Sequence, residues 1–460
     1  MFACKGMMRR HSLSSERRGL FSEVLERGRV SEITGDAAWV ATLIDVEVAL
    51  GRASAIAGLI PPAHAQAIEQ AAGRLAPDIQ RLGAEAAATG TPVVALVGML
   101  RDAVGDEAAA SVHRGATSQD IMDSAAMAIA ARALTAIVDD LSAAGDAAAR
   151  LATRHRTTVI SGRTLLQRAA PTTFGLKAAG WLVGLDRAIV MLTEVRDHRL
   201  AVQLGGATGT RAAFEGNGRL IADQLAAQLQ LSSPELPWHT ERSRIGELAS
   251  ALGVAAGIVA KVASDVVLLS QSEVAEVGDG RADRGGSSAM PQKRNPIAAV
   301  SAIASAQRAP GLVATLLGSM AHEHERAAGA WHAEWLPLRD LLVATGSASS
   351  WLRDCLDSLV IRPEAIAANL AADGGLMLSQ RIVDVVTPLL GRSAALEFVA
   401  RAAELITASQ GFAAALVAVD AGRTGLDQVS FEALLDPATY VGDAVTLTAA
   451  AVDAHQRGRR

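Results

Sequence analysis

Cysteine is almost absent: the 460 residues hold two, Cys4 and Cys355. They lie far apart in sequence, which excludes a disulfide framework and zinc-type spacing and fits reduced cytosolic thiols. Aromatic side chains are scarce at 3%, so alanine, leucine and valine must do the packing, as in close-packed helices. Positive charge is not in excess. Lys and Arg number 43 against 48 Asp and Glu, a net charge of −5, which argues against nucleic acid or an anionic membrane as the main partner. Long uncharged apolar runs are missing too: Leu248 to Ala260 is closed by Glu247 and Lys261, short of the roughly 20 residues a span needs. Residues 1–18 carry five basic side chains but no long apolar core, so a disordered extension or a misplaced start codon is expected there rather than a secretory leader. A soluble, cytoplasmic protein is the expectation.

Proline is withheld from long stretches, between Pro92 and Pro171, Pro171 and Pro234, Pro237 and Pro291, and Pro388 and Pro437. Helix formers fill those gaps. From Ile245, apolar residues recur at Leu248, Leu252, Ala255, Val259, Val262, Val266 and Leu269. Spacings of four and three make a heptad seam, which calls for bundle partners along its length and, for so long a helix, for oligomerisation. A second helix is expected over 36–59, ended by Pro61-Pro62, and a third from Thr117 through Leu151. No alternation of strands stands out. Gly205 to Gly209 does not follow a β-rich run, so it reads as a turn between helices, and no cofactor or metal is expected. The fold class is therefore all-α. An N-terminal helical domain is placed at 1–110, a central long-helix bundle at 111–355, and a small C-terminal helical domain at 356–460.

Three polar segments interrupt this apolar background. The most informative is Gly285-Gly286-Ser287-Ser288-Ala289-Met290-Pro291-Gln292-Lys293-Arg294-Asn295-Pro296. Two glycines free the backbone, hydroxyls follow, Met290-Pro291 stiffens the chain, and Lys293, Arg294 and Asn295 offer cationic and amide donors. That order suits a lid, within 278–296, that carries a hydroxyl to a carboxylate-bearing substrate; an ordinary Gly-Ser loop is the plainer alternative. The second segment, His113 to Asp120, gathers Thr117, Ser118 and Gln119 before a helix. Its backbone N–H groups and hydroxyls could hold a carboxylate, or Thr117 or Ser118 could be a simple N-cap. In the third, Gly162 to Gln167, Arg163 and Gln167 are one helical turn apart and could face one cavity, or a solvated surface.

These segments, in this order, resemble the three conserved regions of the fumarase/aspartase superfamily, whose members make and break C–N or C–O bonds beside a carboxylate. The resemblance covers nearly everything beyond about residue 35. It implies a homotetramer whose active sites each draw on three subunits, a small polycarboxylate substrate, and no cofactor. Two departures narrow it. Lyases acting on adenylosuccinate carry a histidine as general acid where this chain has Arg163-Thr164-Leu165, and leucine transfers no proton. The glutamate usual five residues after the loop asparagine is Val300 here. Both losses, with the runs Leu236 to Arg242, Ser264 to Leu269, Glu323 to Ala327, Gly329 to Trp335 and Gly374 to Leu376, resemble the bacterial 3-carboxy-cis,cis-muconate cycloisomerases.

That likeness implies lactonisation of a muconate with three carboxylates, a step of protocatechuate breakdown in the beta-ketoadipate route. One carboxylate adds across a double bond conjugated to another, and a proton is delivered to carbon. It implies Ser287 as acid/base residue, with Lys293 and Asn295 at the carboxylate that gathers charge. It implies Thr117, Ser118, Gln119, Arg163, Thr164, Gln167, Ser288, Met290, Arg294, Arg326 and His332 as substrate contacts. A C–N lyase of the adenylosuccinate type and a non-catalytic oligomer built on the same scaffold are the competing expectations.

Overall fold

The computed structural model describes residues 19–407 and 410–458; the expected N-terminal extension and Cys4 lie outside the described residues. Four long helices form the centre: Ser118–Arg154, Phe174–His198, Ser243–Leu269 and Ala330–Asp357. Ser118–Arg154 packs along both Phe174–His198 and Ala330–Asp357, and Ser243–Leu269 fills the remaining side. The heptad seam does what its spacing demands. Leu248, Leu252, Ala255 and Val259 are all completely buried, each removing apolar area from water at about 25 cal/mol per Å². Small residues let the helices approach closely: Ala130, Ala133, Ala144 and Ala148 are fully buried along Ser118–Arg154.

Helix ends differ in detail from expectation. Asp36–Ile56 stops short of the prolines, and Pro62 sits in the first turn of the next helix, Pro62–Ala72, where its missing N–H costs nothing. Strands do occur, in two short antiparallel pairs: Val159–Thr164 with Gln167–Thr173, and Val277–Asp279 with Leu359–Ile361. The first pair joins the end of Ser118–Arg154 to the start of Phe174–His198. The second ties the chain entering the 280–296 loop to the end of Ala330–Asp357.

Apolar packing falls into three clusters. The largest fills the bundle. The second joins the early helices to Ile121, Met122 and Ala125 at the start of Ser118–Arg154. The third spans Ile382 to Phe431. The last helix, Ala444–Gly458, returns to the bundle, where His455 lies 2.8 Å from Asp186 and 3.2 Å from Asp146.

Among the described residues, Ser118–Arg154, Ser243–Leu269 and Ile297–Gly318 are long and apolar enough to cross a membrane. This corrects the expectation from uncharged runs, because a helix tolerates an occasional charge without losing its apolar character. Only 44% of the most apolar window of Ser243–Leu269 is buried within one chain.

Candidate active site

The bundle has two chemically distinct ends. Ser118–Arg154 has 37 residues and spans about 55 Å at 1.5 Å per residue. Ser243–Leu269 and Ala330–Asp357 start at the same end as Ser118–Arg154, since Arg242 bridges Asp123 at 2.7 Å and Glu334 at 2.6 Å.

At that end, Asp120 is the organising side chain. Its carboxylate accepts from Thr117 N (3.0 Å), Gly205 N (2.8 Å), Gly206 N (2.9 Å) and His239 Nε2 (2.7 Å). Four donors satisfy about all that a buried carboxylate can accept. They tie the helix start to the Gly205-Gly206 loop and to the chain leading into Ser243–Leu269. Arg326 then crosses the front of this assembly. It donates to Gln119 Oε1 (3.1 Å), Gly206 O (3.3 Å) and Ala207 O (2.9 Å). All three acceptors are neutral, and Arg326 pairs with no carboxylate among the described residues, so its charge is available to an anion. Gln119 itself is completely buried, donating to Asp123 and His239 O; it holds Arg326 rather than facing solvent. His332 donates from Nε2 to Gly90 O at 3.0 Å and meets Trp331 edge-on and Trp335 at a tilt.

Behind this surface lies a fully desolvated charge network. Burial pushes the Asp123 carboxyl up, but the Arg242 guanidinium and the Trp331 and Gln203 donors outweigh it and hold it below the usual carboxylate range. Burial raises Glu334, only partly offset by Arg242. Asp120, Asp123, His239, Arg242 and Glu334 were not identified as a site from sequence. His239, Arg242 and Glu334 sit within runs that carried the family resemblance, yet partners 92 to 120 positions away leave no local signal.

The other end holds the remaining residues. Arg163 and Gln167 do not share a helical turn, as their spacing implied. Thr164 pairs with Gln167 as the last register of a hairpin whose tip is Leu165-Leu166. Both leucines have positive φ, +50° and +64°, the backbone of a type I′ two-residue turn, where an L-residue costs about 1–2 kcal/mol. Arg163 Nη1 and Nη2 grip the buried Glu276 at 3.0 and 2.6 Å, so its charge is already committed.

The 280–296 loop starts at this end, directly after the strand Val277–Asp279 that follows Glu276. Its base is closed rather than loose. Asn295 N and Nδ2 donate to Gly285 O at 2.8 and 3.1 Å, and Gly286 bridges to Arg294. Gly285 has φ +77°, and a Cβ there would overlap the Asn295 carbonyl oxygen. Its role is close approach, not free hinging, and Asn295 clasps the loop. Arg284 anchors the base through Asp279 and Ser358. Within the loop, Met290 N donates to Ser287 Oγ at 3.2 Å, a contact that stabilises negative charge on the hydroxyl oxygen. Lys293 has no ion-pair partner among the described residues and is exposed, as are Ser288 and Met290, while Arg294 donates to Ala282 O at 3.1 Å.

One chain therefore carries an anion-receptive cation at one end and a hydroxyl with a free ammonium at the other. The lyase family model matches residues 10–311. The 3-carboxy-cis,cis-muconate cycloisomerase of Bradyrhizobium diazoefficiens is 38% identical, covering 95% of this chain and 98% of its own. The nitrosuccinate lyase of Streptomyces davaonensis is 39% identical, covering 95% of each. The crystal structure of the 3-carboxy-cis,cis-muconate lactonizing enzyme from Pseudomonas putida superposes with a TM-score of 0.88 at 37% identity, covering 96% of this chain and 100% of that one.

Proposed function

The chain belongs to the lyase family and has the fumarase/aspartase-like all-α fold, and from that premise we propose that it closes 3-carboxy-cis,cis-muconate to 4-carboxymuconolactone. The observation that carries this reading is the uncompensated pair of cations, Arg326 and Lys293, in a chain so similar to cycloisomerases over nearly its whole length. A substrate with three carboxylates needs separate cationic contacts. Charge that develops on one carboxylate during ring closure is best met by fixed donors.

In the reaction, a carboxylate oxygen forms a C–O bond to one alkene carbon. The π pair moves toward the conjugated carboxylate as an aci-carboxylate, and one proton is added at the α-carbon. Lys293 meets the accumulating charge, with Asn295 holding the loop that presents it. Ser287, its oxygen stabilised by Met290 N–H, is the acid/base residue. Arg326, with Thr117 and Ser118, anchors a second carboxylate, and the loop keeps water out.

These groups meet only if copies assemble. The ends of the bundle lie about 40–55 Å apart along 27- and 37-residue helices. The half-exposed apolar faces at Val254, Val300 and Leu317 are of the kind an oligomer covers. The assembly is a homotetramer, each site drawing on three subunits, and the protein works as a soluble enzyme in the cytoplasm. No cofactor enters this scheme.

Mixing purified protein with 3-carboxymuconate and following the loss of its ultraviolet absorbance tests the activity. Ser287→Ala should lower turnover by about 100-fold or more. Co-refolded Ser287→Ala and Arg326→Ala chains should regain part of the activity, because some shared sites then hold both wild-type groups. No recovery in a mixed tetramer would sink the shared site. The likeness to nitrosuccinate lyase supports a second reading, C–N elimination beside a carboxylate using the same loop. Turnover of nitrosuccinate or adenylosuccinate with none of 3-carboxymuconate would establish that instead, and inertness toward all three would leave a non-catalytic oligomer.

A further inference from the structure

We propose that Leu165 and Leu166 form the apolar wall of the site, determining specificity by packing against the unsaturated carbon chain between the substrate carboxylates. This rests on the cycloisomerase reading and its shared site.

Two unfavourable features coincide at the hairpin tip. Leu165 is 97% exposed and Leu166 71% within one chain, so nothing in their own subunit covers these two large apolar side chains. Both also hold positive φ, in a turn where Asn-Gly is the favoured dipeptide. Leucine contributes nothing to the hairpin itself. Strain and exposure of this sort persist at one place when the side chains have work elsewhere.

The tip is also held still. Arg163 locks one strand to Glu276 through two bonds, and Asn369 holds the same carboxylate at 2.9 Å. The last paired residues, Thr164 and Gln167, place polar groups on either side of the leucines. That arrangement is polar, apolar, polar, and it matches a substrate whose carboxylates flank a conjugated hydrocarbon segment. Cationic groups can hold the carboxylates, but they gain nothing from the planar carbons between them. Apolar contact there would orient the diene and strip water from the attacking oxygen. Since leucine carries no transferable proton, this wall would also leave an amine leaving group without an acid at this position.

The test replaces the pair with the dipeptide the turn prefers, Leu165→Asn with Leu166→Gly, which relieves the strain and cannot harm the hairpin. The unfolding midpoint and oligomeric state should hold or improve, while kcat/KM for 3-carboxymuconate falls about 10- to 100-fold, the scale of lost apolar contacts in a pocket. Leu165→Met with Leu166→Met should retain most of the activity. Wild-type kcat/KM in the Asn-Gly variant would overturn the wall, and so would loss of assembly, which would make the pair an interface element. A wild-type enzyme inert on 3-carboxymuconate would instead remove the functional reading beneath it.

Discussion

Arg163 and Glu276 are locked in a two-point ion pair, Nη1 to Oε2 at 3.0 Å and Nη2 to Oε1 at 2.6 Å. Glu276 is completely buried and precedes Val277–Asp279, the strand that leads into the 280–296 loop. The pair therefore couples the hairpin to the loop base. Removing one partner of a buried pair leaves an uncompensated charge and costs about 3–5 kcal/mol. Glu276→Gln should show that loss in chemical denaturation. Arg163→Gln should cost a similar amount, and the double variant much less than the sum. An Arg163→Gln protein of wild-type stability but raised KM would return Arg163 to direct substrate contact.

Arg326 behaves differently, because its acceptors are two carbonyls and an amide oxygen. Arg326→Gln removes a charge-assisted contact worth about 1.5–3 kcal/mol. KM for the polycarboxylate should rise roughly 10- to 100-fold with little change in the unfolding midpoint. Asp120→Asn should weaken binding through the same guanidinium, by loosening the Gly205-Gly206 loop, and should also lower stability. Unchanged KM in both variants would place the second carboxylate elsewhere.

How far these parts were legible in the sequence depends on the range over which their causes act. The seam from Leu248 to Leu269 was readable because a helix expresses burial every three or four residues. The donors of loop 285–296 stand out in the sequence, but its mechanics do not. Its glycines implied a free hinge, whereas Gly285 is required by the approach of Asn295, ten residues away. The hairpin was missed because Leu-Leu is not the dipeptide that announces a type I′ turn. Asp120 with His239, and Asp123 with Arg242 and Glu334, join segments about 90 to 210 residues apart. Such pairs follow from the tertiary fold and from nothing local.

Gly285→Ala separates hinge from clasp. Alanine combines a disfavoured positive φ with overlap onto Asn295. The loop base should open, lowering kcat more than tenfold, while global unfolding changes little because the loop is mostly exposed. Asn295→Ala removes the Nδ2 bond to Gly285 O and should move kcat in the same direction. Full activity in Gly285→Ala would show that the clasp is dispensable.

His113 and Glu47 make stability depend on pH. Nδ1 of His113 lies 2.6 Å from Glu47 Oε1, joining the turn before Thr117 to the helix Asp36–Ile56. Burial pushes the imidazole down, but the Glu47 hydrogen bond and charge outweigh it, so the folded value is raised above the ordinary 6.5. A raised value means the folded state binds the proton more tightly. The pair therefore stabilises fully below about 6.5, the unfolded value, and its contribution is lost as the pH climbs through the higher folded value. His113→Gln should cost about 1.5–3 kcal/mol at pH 5, the worth of a charged hydrogen bond. The gap between wild type and variant should close as the pH rises past the folded value, read as unfolding midpoints across pH. A gap that stayed constant from pH 5 to 9 would mean that the imidazole contributes by packing rather than by charge.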